Sequence, residues 1–475
     1  MVENTDFFDT LTIPNIRNEA LYVYLYKAIN TAITQGILAS GYRLPPIRTL
    51  AKKLQINPGT VASAYKELEH NGFIFSRPGS GSTVAEHARK DFASYDELPD
   101  IGNFSLDNSM DDIINMRSIA LNPDIVSIDQ FKDLFNLVLE RDHALSFIVD
   151  DSRGFQSLRE SIACKLAENS IFVNMNNIQV VSGAQQGIDL IARSLISHGD
   201  YVITESPVYP GAIAAFRAIG AKVISFPLES DGPDLINLEN KLKTFRPKLI
   251  YTMPTLQNPT TISYSNEKRI RLMGLARFYN CLILENDYLG DLIYKNSEFK
   301  TLKSLDTDDR VIYLKSLSQI FMPGLHIGFL VTPTSSNKRI AKVKRLVDLS
   351  SSGLSQRVLD LYLRKKLWDT HLRKIRSIYS QRFEFTIRLL KKHLPDLINW
   401  QIPLGGLSFW LQLPDNISCK ELITIAKSRG LLLTDCREFF LSKSCDNYLR
   451  LSFSLLSPQE IEKGIHILSD VLKNY

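Results

Sequence analysis

Near the N-terminus, apolar residues recur every three or four positions in three consecutive stretches, which is the spacing of one helix face. The three predicted helices span residues 18–35, 47–54 and 58–71. Asn57 can cap the third helix, and a proline at its first position costs no hydrogen bond there. Alternating Phe73, Ile74 and Phe75 then run into a glycine- and serine-rich turn before Thr83-Val84. The pattern predicts three helices followed by a β-hairpin, or wing.

The pattern changes after this unit. From Ala85 to Asp112 polar residues interrupt every apolar run, which is typical of an interdomain linker. Helical stretches then alternate with short β-branched runs, which predicts a mainly parallel sheet wrapped by helices. These runs are residues 178–181, 201–204, 222–225, 249–252, 282–284 and 311–314. From about Ser335, basic amphipathic helices mix with strands near residues 407–413 and 448–453, which indicates a smaller α+β lobe.

The predicted protein is therefore multidomain. A small α+β winged helix-turn-helix occupies residues 12–84, and a linker occupies residues 85–112. An α/β domain with a small C-terminal lobe fills residues 113–475.

Composition narrows the class of protein. The chain has 475 residues, of which 44% are hydrophobic and 23% charged, as in soluble globular proteins. The five cysteines lack the spacing of a zinc site or a disulfide framework, so no metal is expected. No stretch is apolar for the length that spans a membrane, and we expect a cytoplasmic protein without a membrane partner.

The net charge of +5 is too mild to indicate a nucleic-acid partner, but residues 36–82 carry six basic and two acidic side chains. The third helix opens with Gly59, Thr60 and Ser63, whose small side chains let a helix end approach DNA closely. Duplex DNA is the predicted partner. The alternative is a three-helix protein-binding module with solvated lysines.

Several linked motifs in this segment resemble the GntR-type winged helix-turn-helix. They are Arg43-Leu44-Pro45, Arg48-Thr49-Leu50-Ala51, Asn57-Pro58-Gly59-Thr60-Val61, Ala64-Tyr65-Lys66-Glu67-Leu68-Glu69 and Gly72-Phe73-Ile74. The resemblance implies that Arg43, Arg48, Thr60, Gly79 and Gly81 lie against DNA, and the pattern of the third helix adds Ser63 and Lys66 to the predicted contacts. Pro46 and Gly59 differ from the serine and arginine common at those places, so the operator sequence does not carry over.

The larger part holds a second set of motifs. Ser182, Gly183, Ala184 and Gln185 follow a strand and open a helix, so their amides can hold a phosphate. Together with Tyr209-Pro210-Gly211, Asn258-Pro259, Glu285-Asn286-Asp287-Tyr288, Pro323-Gly324-Leu325 and Arg450, they resemble a fold-type-I aminotransferase. A GntR head on such a domain is similar to the MocR/GabR regulators. Those proteins use the aminotransferase scaffold as an effector sensor and form head-to-tail dimers.

The resemblance also marks three departures. Gln319, in Ser316-Leu317-Ser318-Gln319, stands where the family has the lysine that forms a Schiff base with pyridoxal phosphate. His326 replaces the arginine that grips the phosphate, and Asn286 replaces the aspartate that holds the pyridinium proton, unless Asp287 takes that role. Covalent cofactor attachment is therefore not expected, whereas noncovalent pyridoxal phosphate or a related ligand is compatible with the sequence.

Other positions keep the family residues. Asn258 and Tyr288 match contacts to the ring hydroxyl, Tyr209 an aromatic near the ring, and Arg450 the arginine that binds a substrate carboxylate. The alternative is that these residues now serve turns, core packing and a structural ion pair. Lys315 is either a solvated surface lysine or a surrogate for the missing amine.

The sequence thus predicts a DNA-binding transcription regulator whose aminotransferase-like domain senses a small carboxylate-bearing effector and forms the homodimer. One alternative is a working pyridoxal-phosphate-dependent aminotransferase with an accessory N-terminal domain. Another is a dimerisation scaffold without a ligand.

Overall fold

The computed structural model describes residues 7–11, 21–34, 37–39, 41–70, 73–77, 81–85, 113–295, 299–317, 320–442 and 447–473. The chain divides into two compact units, residues 1–97 and 98–475. The predicted site residues Gly79, Ser318 and Gln319 lie outside the described residues, as does all but the first residue of the predicted linker.

The described part of the N-terminal unit contains four α-helices and one hairpin. The helices are α1 (Phe7–Thr10), α2 (Leu21–Thr34), α3 (Ile47–Leu54) and α4 (Pro58–His70). Strands β1 (Ile74–Arg77) and β2 (Gly81–Val84) pair antiparallel as the predicted wing. Helix α1 is not indicated by the periodicity because it is one turn long, yet its Phe8 is buried in the core of this unit.

Local chemistry explains the two helices that carry the predicted DNA contacts. Gln55 adopts a left-handed conformation (φ 53°) and ends α3. The Asn57 side chain accepts a hydrogen bond from the Gly59 amide at 2.7 Å, which satisfies a free donor at the start of α4. The Tyr65 hydroxyl donates to the Pro45 carbonyl at 2.8 Å and holds α4 against the start of α3.

The larger unit contains the remaining helices and strands. Its helices are α5 (Ile128–Asp142), α6 (Gln156–Ala167), α7 (Gly183–Leu195), α8 (Pro210–Ala218), α9 (Leu235–Phe245), α10 (Asn266–Phe278), α11 (Asn337–Asp348), α12 (Gly353–Arg364), α13 (Leu367–His393), α14 (Cys419–Ser428) and α15 (Pro458–Leu472). Its strands are β3 (Ile114–Asn115), β4 (Ile178–Val181), β5 (Tyr201–Ser206), β6 (Lys222–Glu229), β7 (Gly232–Pro233), β8 (Leu249–Thr252), β9 (Leu282–Asp287), β10 (Val311–Ser316), β11 (Gly328–Val331), β12 (Asn399–Trp400), β13 (Ser408–Gln412), β14 (Leu431–Leu432), β15 (Thr434–Asp435) and β16 (Tyr448–Ser452).

The central sheet is mixed but mainly parallel. Its eight strands follow the order β4-β11-β10-β9-β8-β5-β6-β7. Strands β10, β9, β8, β5 and β6 run parallel, whereas β11 pairs antiparallel with both β10 and β4. Because parallel strands end at one edge, the segments after β5, β8 and β9 meet there. These segments carry the predicted pocket residues.

The C-terminal lobe has its own sheet of four strands in the order β12-β13-β16-β15. Strand β16 lies in its interior and carries Arg450, whose backbone is in register with Trp410 on one side and Thr434 on the other. Among the described residues, no helix is long and apolar enough to cross a bilayer, and no cluster of three potential metal ligands occurs.

Candidate nucleic-acid interface and ligand pocket

Helices α3 and α4 expose their polar side chains on the surface of the N-terminal unit. Val61, Ala64 and Leu68 are buried, whereas Ser63 and Lys66 on the other side of α4 are exposed and Thr60 is half-buried. The spacing of three positions places Thr60, Ser63 and Lys66 on one stripe of α4. Such a stripe is what a recognition helix presents to a groove.

The wing brings Arg43 beside β2. The Leu44 amide donates to the Ser82 carbonyl at 2.9 Å, and the Arg43 guanidinium lies about 3.5 Å from the Cβ position that a side chain at Gly81 would occupy. Gly81 itself has a φ of 81°, which an L-residue rarely adopts. Arg43, Arg48 and Lys66 are exposed, and none forms an ion pair with a described residue. Their charges are thus available for phosphates.

In the larger unit, the first turn of α7 is tied to the segment between α11 and α12 by a closed ring of hydrogen bonds. The Ser182 amide donates to Gln186, and the Gln186 amide group donates to Asp348 at 2.9 Å. Lys344 Nζ pairs with Asp348 and donates to Ser351 Oγ at 3.2 Å. Ser351 Oγ lies 3.1 Å from Ser182 Oγ and closes the ring.

The Tyr209 ring, Gln185 and Gly211 are closely packed at the start of α8. Gln185 Nε2 donates to the Gly211 carbonyl at 2.9 Å. A Cβ atom at Gly211 would fall 2.1 Å from Gln185 Oε1 and 2.5 Å from the Tyr209 ring, so glycine is required. Burial raises the pKa of Tyr209 to about 12, and its hydroxyl has no hydrogen-bond partner among the described residues. This hydroxyl is therefore a neutral group free to bind a ligand.

Asn286 lies in β9, in register with Leu314 of β10. Its Nδ2 donates to the Tyr251 hydroxyl at 2.8 Å, whereas its Oδ1 is buried and has no hydrogen-bond partner among the described residues. Tyr251 is fully buried, and burial raises the pKa of its hydroxyl well above the ordinary value. The pair is therefore neutral. Tyr251 was not recognised from the sequence, because the sequence does not show which residue of a neighbouring strand a strand residue contacts.

Arg450 and Asn258 meet across the edge of the central sheet. Arg450 Nη1 donates to Asn258 Oδ1 at 3.0 Å, and Nη2 donates to the Arg117 carbonyl at 3.1 Å. The guanidinium also lies over the Phe439 ring, 5.0 Å from its centroid. Burial lowers the pKa of Arg450 to about 10, which leaves it cationic at neutral pH.

No carboxylate forms an ion pair with Arg450 among the described residues, and its Nε is buried without a partner. The structural ion pair that was the alternative role for this arginine is thus absent from the described part of the chain. Burial raises the pKa of Tyr288 and of Tyr209, and the positive charge of Arg450 lowers both by a smaller amount. Arg450 is therefore close enough to both hydroxyls to affect their ionisation. A buried cation of this kind is suited to a carboxylate ligand.

A fully buried carboxylate holds the two loops that carry Tyr209 and Asn258. Glu205 accepts hydrogen bonds from Thr252 Oγ1 at 2.6 Å, the Met253 amide at 2.8 Å and Gln257 Nε2 at 3.0 Å. Gln257 Nε2 also donates to the Pro207 carbonyl at 2.8 Å. Burial raises the pKa of Glu205. The sequence did not mark Glu205, because only the fold brings residues 205–207 next to residues 252–257.

Lys315 corrects the sequence analysis. It is buried rather than solvated, and its Nζ lies 2.8 Å from both Asp287 Oδ2 and Asp291 Oδ2. Because successive side chains of a strand point to opposite faces, Lys315 and Asp287 lie on the face away from Leu314 and Asn286. Asp287 therefore does not replace Asn286, and Lys315 is held away from the pocket.

The remaining predicted ligand contacts lie near the same sheet edge. His326 is exposed, has a φ of 45° and forms no hydrogen bond with a described residue. Gly183 has a φ of 79° at the first position of α7, and Ala184 offers a backbone amide but no hydroxyl. A Cβ at Gly328 would fall 2.8 Å from the Lys315 carbonyl, so β10, β11 and the start of α7 pack tightly.

Comparison with known proteins agrees with both units. The family model for class I and II aminotransferases matches residues 129–468, and the model for bacterial regulatory proteins of the gntR family matches residues 21–84. The uncharacterized HTH-type transcriptional regulator YdfD of Bacillus subtilis is 29% identical over 95% of this chain and 96% of its own length. Aromatic-amino-acid aminotransferase 1 of Thermococcus litoralis is 30% identical over 76% of this chain and 88% of its own.

Among solved structures, the kynurenine aminotransferase of Pyrococcus horikoshii superimposes with a TM-score of 0.74 at 29% identity, covering 76% of this chain and 91% of that one. The chain belongs to the class I and II aminotransferase family. It joins that fold to a GntR-type DNA-binding head, which is the combination found in regulators of the MocR type.

Members of this fold typically bind pyridoxal phosphate, and the residues present fit that cofactor in part. Tyr209, Asn258 and Tyr288 provide an aromatic surface and uncharged hydrogen-bonding groups. The orphaned Asn286 Oδ1 carries no charge to hold a pyridinium proton, and His326 is not directed at a described group. The described residues therefore do not fit the charged form of the cofactor ring.

Proposed function

We propose that the protein is a cytoplasmic, DNA-binding transcription regulator whose aminotransferase-like domain is a noncovalent effector sensor and not an enzyme. The proposal depends most on Arg43, Arg48 and Lys66, three exposed basic side chains on a GntR-type head that form no ion pair with a described residue. The alignment with YdfD along almost the whole chain supports it. DNA binding and sensing are then functions of different units.

Duplex binding is tested by a mobility-shift titration with promoter DNA from the protein's own genomic neighbourhood. We expect Arg43→Ala or Arg48→Ala to weaken binding by roughly 5- to 150-fold, because each loses about 1–3 kcal/mol of phosphate or base contact. Lys420→Ala, an exposed lysine of the larger unit, is the matched control. Binding should weaken steeply with salt. Wild-type protein that binds no such duplex would contradict the proposal.

The sensor is proposed to take a small carboxylate-bearing effector at Arg450 and Asn258. The absence of a carboxylate partner for Arg450 among the described residues supports this assignment. A thermal-shift screen of small carboxylates should find compounds that stabilise the wild type and not Arg450→Ala. Arg373→Ala removes an exposed arginine elsewhere in the larger unit and should retain the ligand response. Equal stabilisation of all three proteins would remove Arg450 from the site.

The enzyme alternative requires a primary amine that reaches the cofactor. Gln319 stands at the family position of the lysine, and Lys315 is paired with Asp287 and Asp291 on the other face of the sheet. After borohydride reduction of protein mixed with pyridoxal phosphate, exposed lysines should be labelled nonspecifically but Lys315 should carry no label. A label on Lys315 would restore the aminotransferase reading.

We further propose a homodimer formed through an exposed apolar surface on the larger unit. Phe147, Ile148 and Val149 are 71%, 53% and 69% exposed. This segment runs beside the start of α12, since a Cβ at Gly353 would lie 3.5 Å from the Ile148 carbonyl. Exposed patches of this kind mark association surfaces. Resemblance to the MocR/GabR regulators and the tendency of the aminotransferase fold to dimerise support a head-to-tail arrangement.

Sedimentation measures this association directly. Phe147→Ser with Val149→Ser should shift the protein towards monomer, because the buried apolar area is lost. Phe172→Ser is the matched control, since Phe172 is 81% exposed on a different segment. A double variant that remains fully dimeric would place the dimer interface elsewhere.

A further inference from the structure

The buried side of the proposed effector pocket ends on an amide with an unused acceptor. Asn286 is 2% exposed, and its Oδ1 has no hydrogen-bond partner among the described residues. Its Nδ2 is already engaged by the Tyr251 hydroxyl at 2.8 Å. In this arrangement the Oδ1 end of the amide is left for a ligand.

The side chains that pack around this acceptor on its own face of the sheet are uncharged. Asn286 shares its face of the sheet with Leu314, which packs in the same apolar cluster as Tyr251 and Val208. Tyr209 and Tyr288 pack against that cluster, and burial keeps both hydroxyls protonated at neutral pH. The ionisable residues next to it along β9 and β10 are Glu285, Asp287 and Lys315, which lie on the opposite face, where Lys315 pairs with Asp287 and Asp291.

An amide and a carboxylate at this position select different ligands. A carboxylate would stabilise a protonated, cationic ring nitrogen in a low-dielectric site, whereas a neutral amide would leave that charge unpaired. A neutral N–H or O–H donor instead satisfies Oδ1 without bringing a charge into the site. An amide rotated by 180° would present an N–H donor and would still be uncharged, so discrimination against a cationic ring does not depend on the orientation.

We propose that the effector carries, besides the carboxylate held by Arg450, an uncharged aromatic ring whose N–H or O–H donates to Asn286 Oδ1. The pocket thus favours a neutral-ring carboxylate over a pyridinium phosphate. This inference rests on the proposed sensor function. It assigns to Asn286 the selection between neutral and cationic rings. The pocket then recognises two features of its ligand, the carboxylate and the charge of the ring.

The test uses the isosteric variant Asn286→Asp and two probes, with full-length protein and calorimetric titration. Indole-3-acetate has a carboxylate and a neutral ring N–H, whereas pyridoxamine phosphate has a ring nitrogen that can be protonated and cannot form a Schiff base with a lysine. Wild-type protein should prefer indole-3-acetate. Asn286→Asp should tighten pyridoxamine phosphate about tenfold, the effect expected for one charged hydrogen bond, while indole-3-acetate should remain bound, because a carboxylate also accepts from a neutral N–H.

A second variant separates the role of charge from that of hydrogen bonding and covers the case in which Asn286→Asp does not fold. Asn286→Leu should weaken indole-3-acetate about tenfold without tightening pyridoxamine phosphate. The inference is overturned if wild type prefers pyridoxamine phosphate, if neither probe binds the wild type, or if Asn286→Leu leaves indole-3-acetate binding unchanged. DNA binding measured on the same proteins tests the regulator assignment separately. DNA binding can be absent while the ring selectivity is found, and the ring selectivity can be absent while DNA binding is found.

Discussion

The two faces of strands β9 and β10 differ in how they hold charge. On the pocket face, Asn286 and Leu314 are neutral. On the opposite face, Asp287 and Lys315 form a buried ion pair that Asp291 joins. The comparison teaches that nearness in sequence is a poor guide to the chemistry of a pocket, since adjacent residues of a strand serve different sides of the sheet. The lysine closest in sequence to Gln319 thus balances carboxylates on the far face.

The largest effect is expected from removing the cation that pairs with the buried carboxylates on the opposite face. Lys315→Met should lower the free energy of unfolding by about 3–5 kcal/mol, because it leaves Asp287 and Asp291 without their cation. Urea denaturation measures the loss. Lys338→Met, at an exposed lysine of α11, is the control and should change stability little. A similar small change in both variants would show that Lys315 is not a buried partner.

The opposite face also predicts a pH dependence. Burial raises the pKa of Glu285 to about 7 although it accepts hydrogen bonds from the Leu302 and Lys303 amides at 2.8 Å. A carboxyl whose pKa is raised on folding binds its proton more tightly in the folded state. Its contribution is therefore fully present below the unfolded pKa of about 4.3 and is lost as the pH rises to about 7.

Wild-type stability should accordingly include a decrease of about 3 kcal/mol between these limits that Glu285→Gln lacks. Urea denaturation of both proteins at about pH 4.5, 6 and 8 gives the change of the unfolding free energy with pH for each protein. Parallel pH profiles would mean that Glu285 is ionised throughout and that charge on this face is better solvated than its burial indicates.

The smallest expected effect belongs to the pocket face. Tyr251→Phe removes the acceptor for Asn286 Nδ2 and should cost about 1–2 kcal/mol, the penalty of one neutral buried donor without a partner. Thermal unfolding measures it, with Tyr22→Phe in the N-terminal unit as an exposed control. A loss as large as that of Lys315→Met would erase the energetic difference between the two faces.

Much of the fold could be predicted from the sequence because it depends on local periodicity. The six strand runs of the larger unit and the three helices with a wing coincide with observed elements within a few residues. Strand β11 was missed, because residues 328–331 follow a turn so closely that no separate run is visible. Helix α1 was missed because a single turn has no period to detect.

The site was predictable only where a single residue type reveals the chemistry. Arg450 and Asn258 were expected to serve one ligand, and they are in contact. The role of Lys315 could not be predicted, because it depends on its register with Asp287 and on Asp291, which only the folded sheet defines. Glu205 and Tyr251 were missed for the same reason, since each acts through residues from another strand.

The ring formed by Ser182, Gln186, Asp348, Lys344 and Ser351 joins the start of α7 to the junction of α11 and α12. Because every member holds two others, breaking one link leaves the rest in place, and the junction resists sliding. Any sliding of α11 along α7 must therefore break several of these hydrogen bonds together. The ring thus fixes the register of α7 against α11, and Lys344 is its one cationic member.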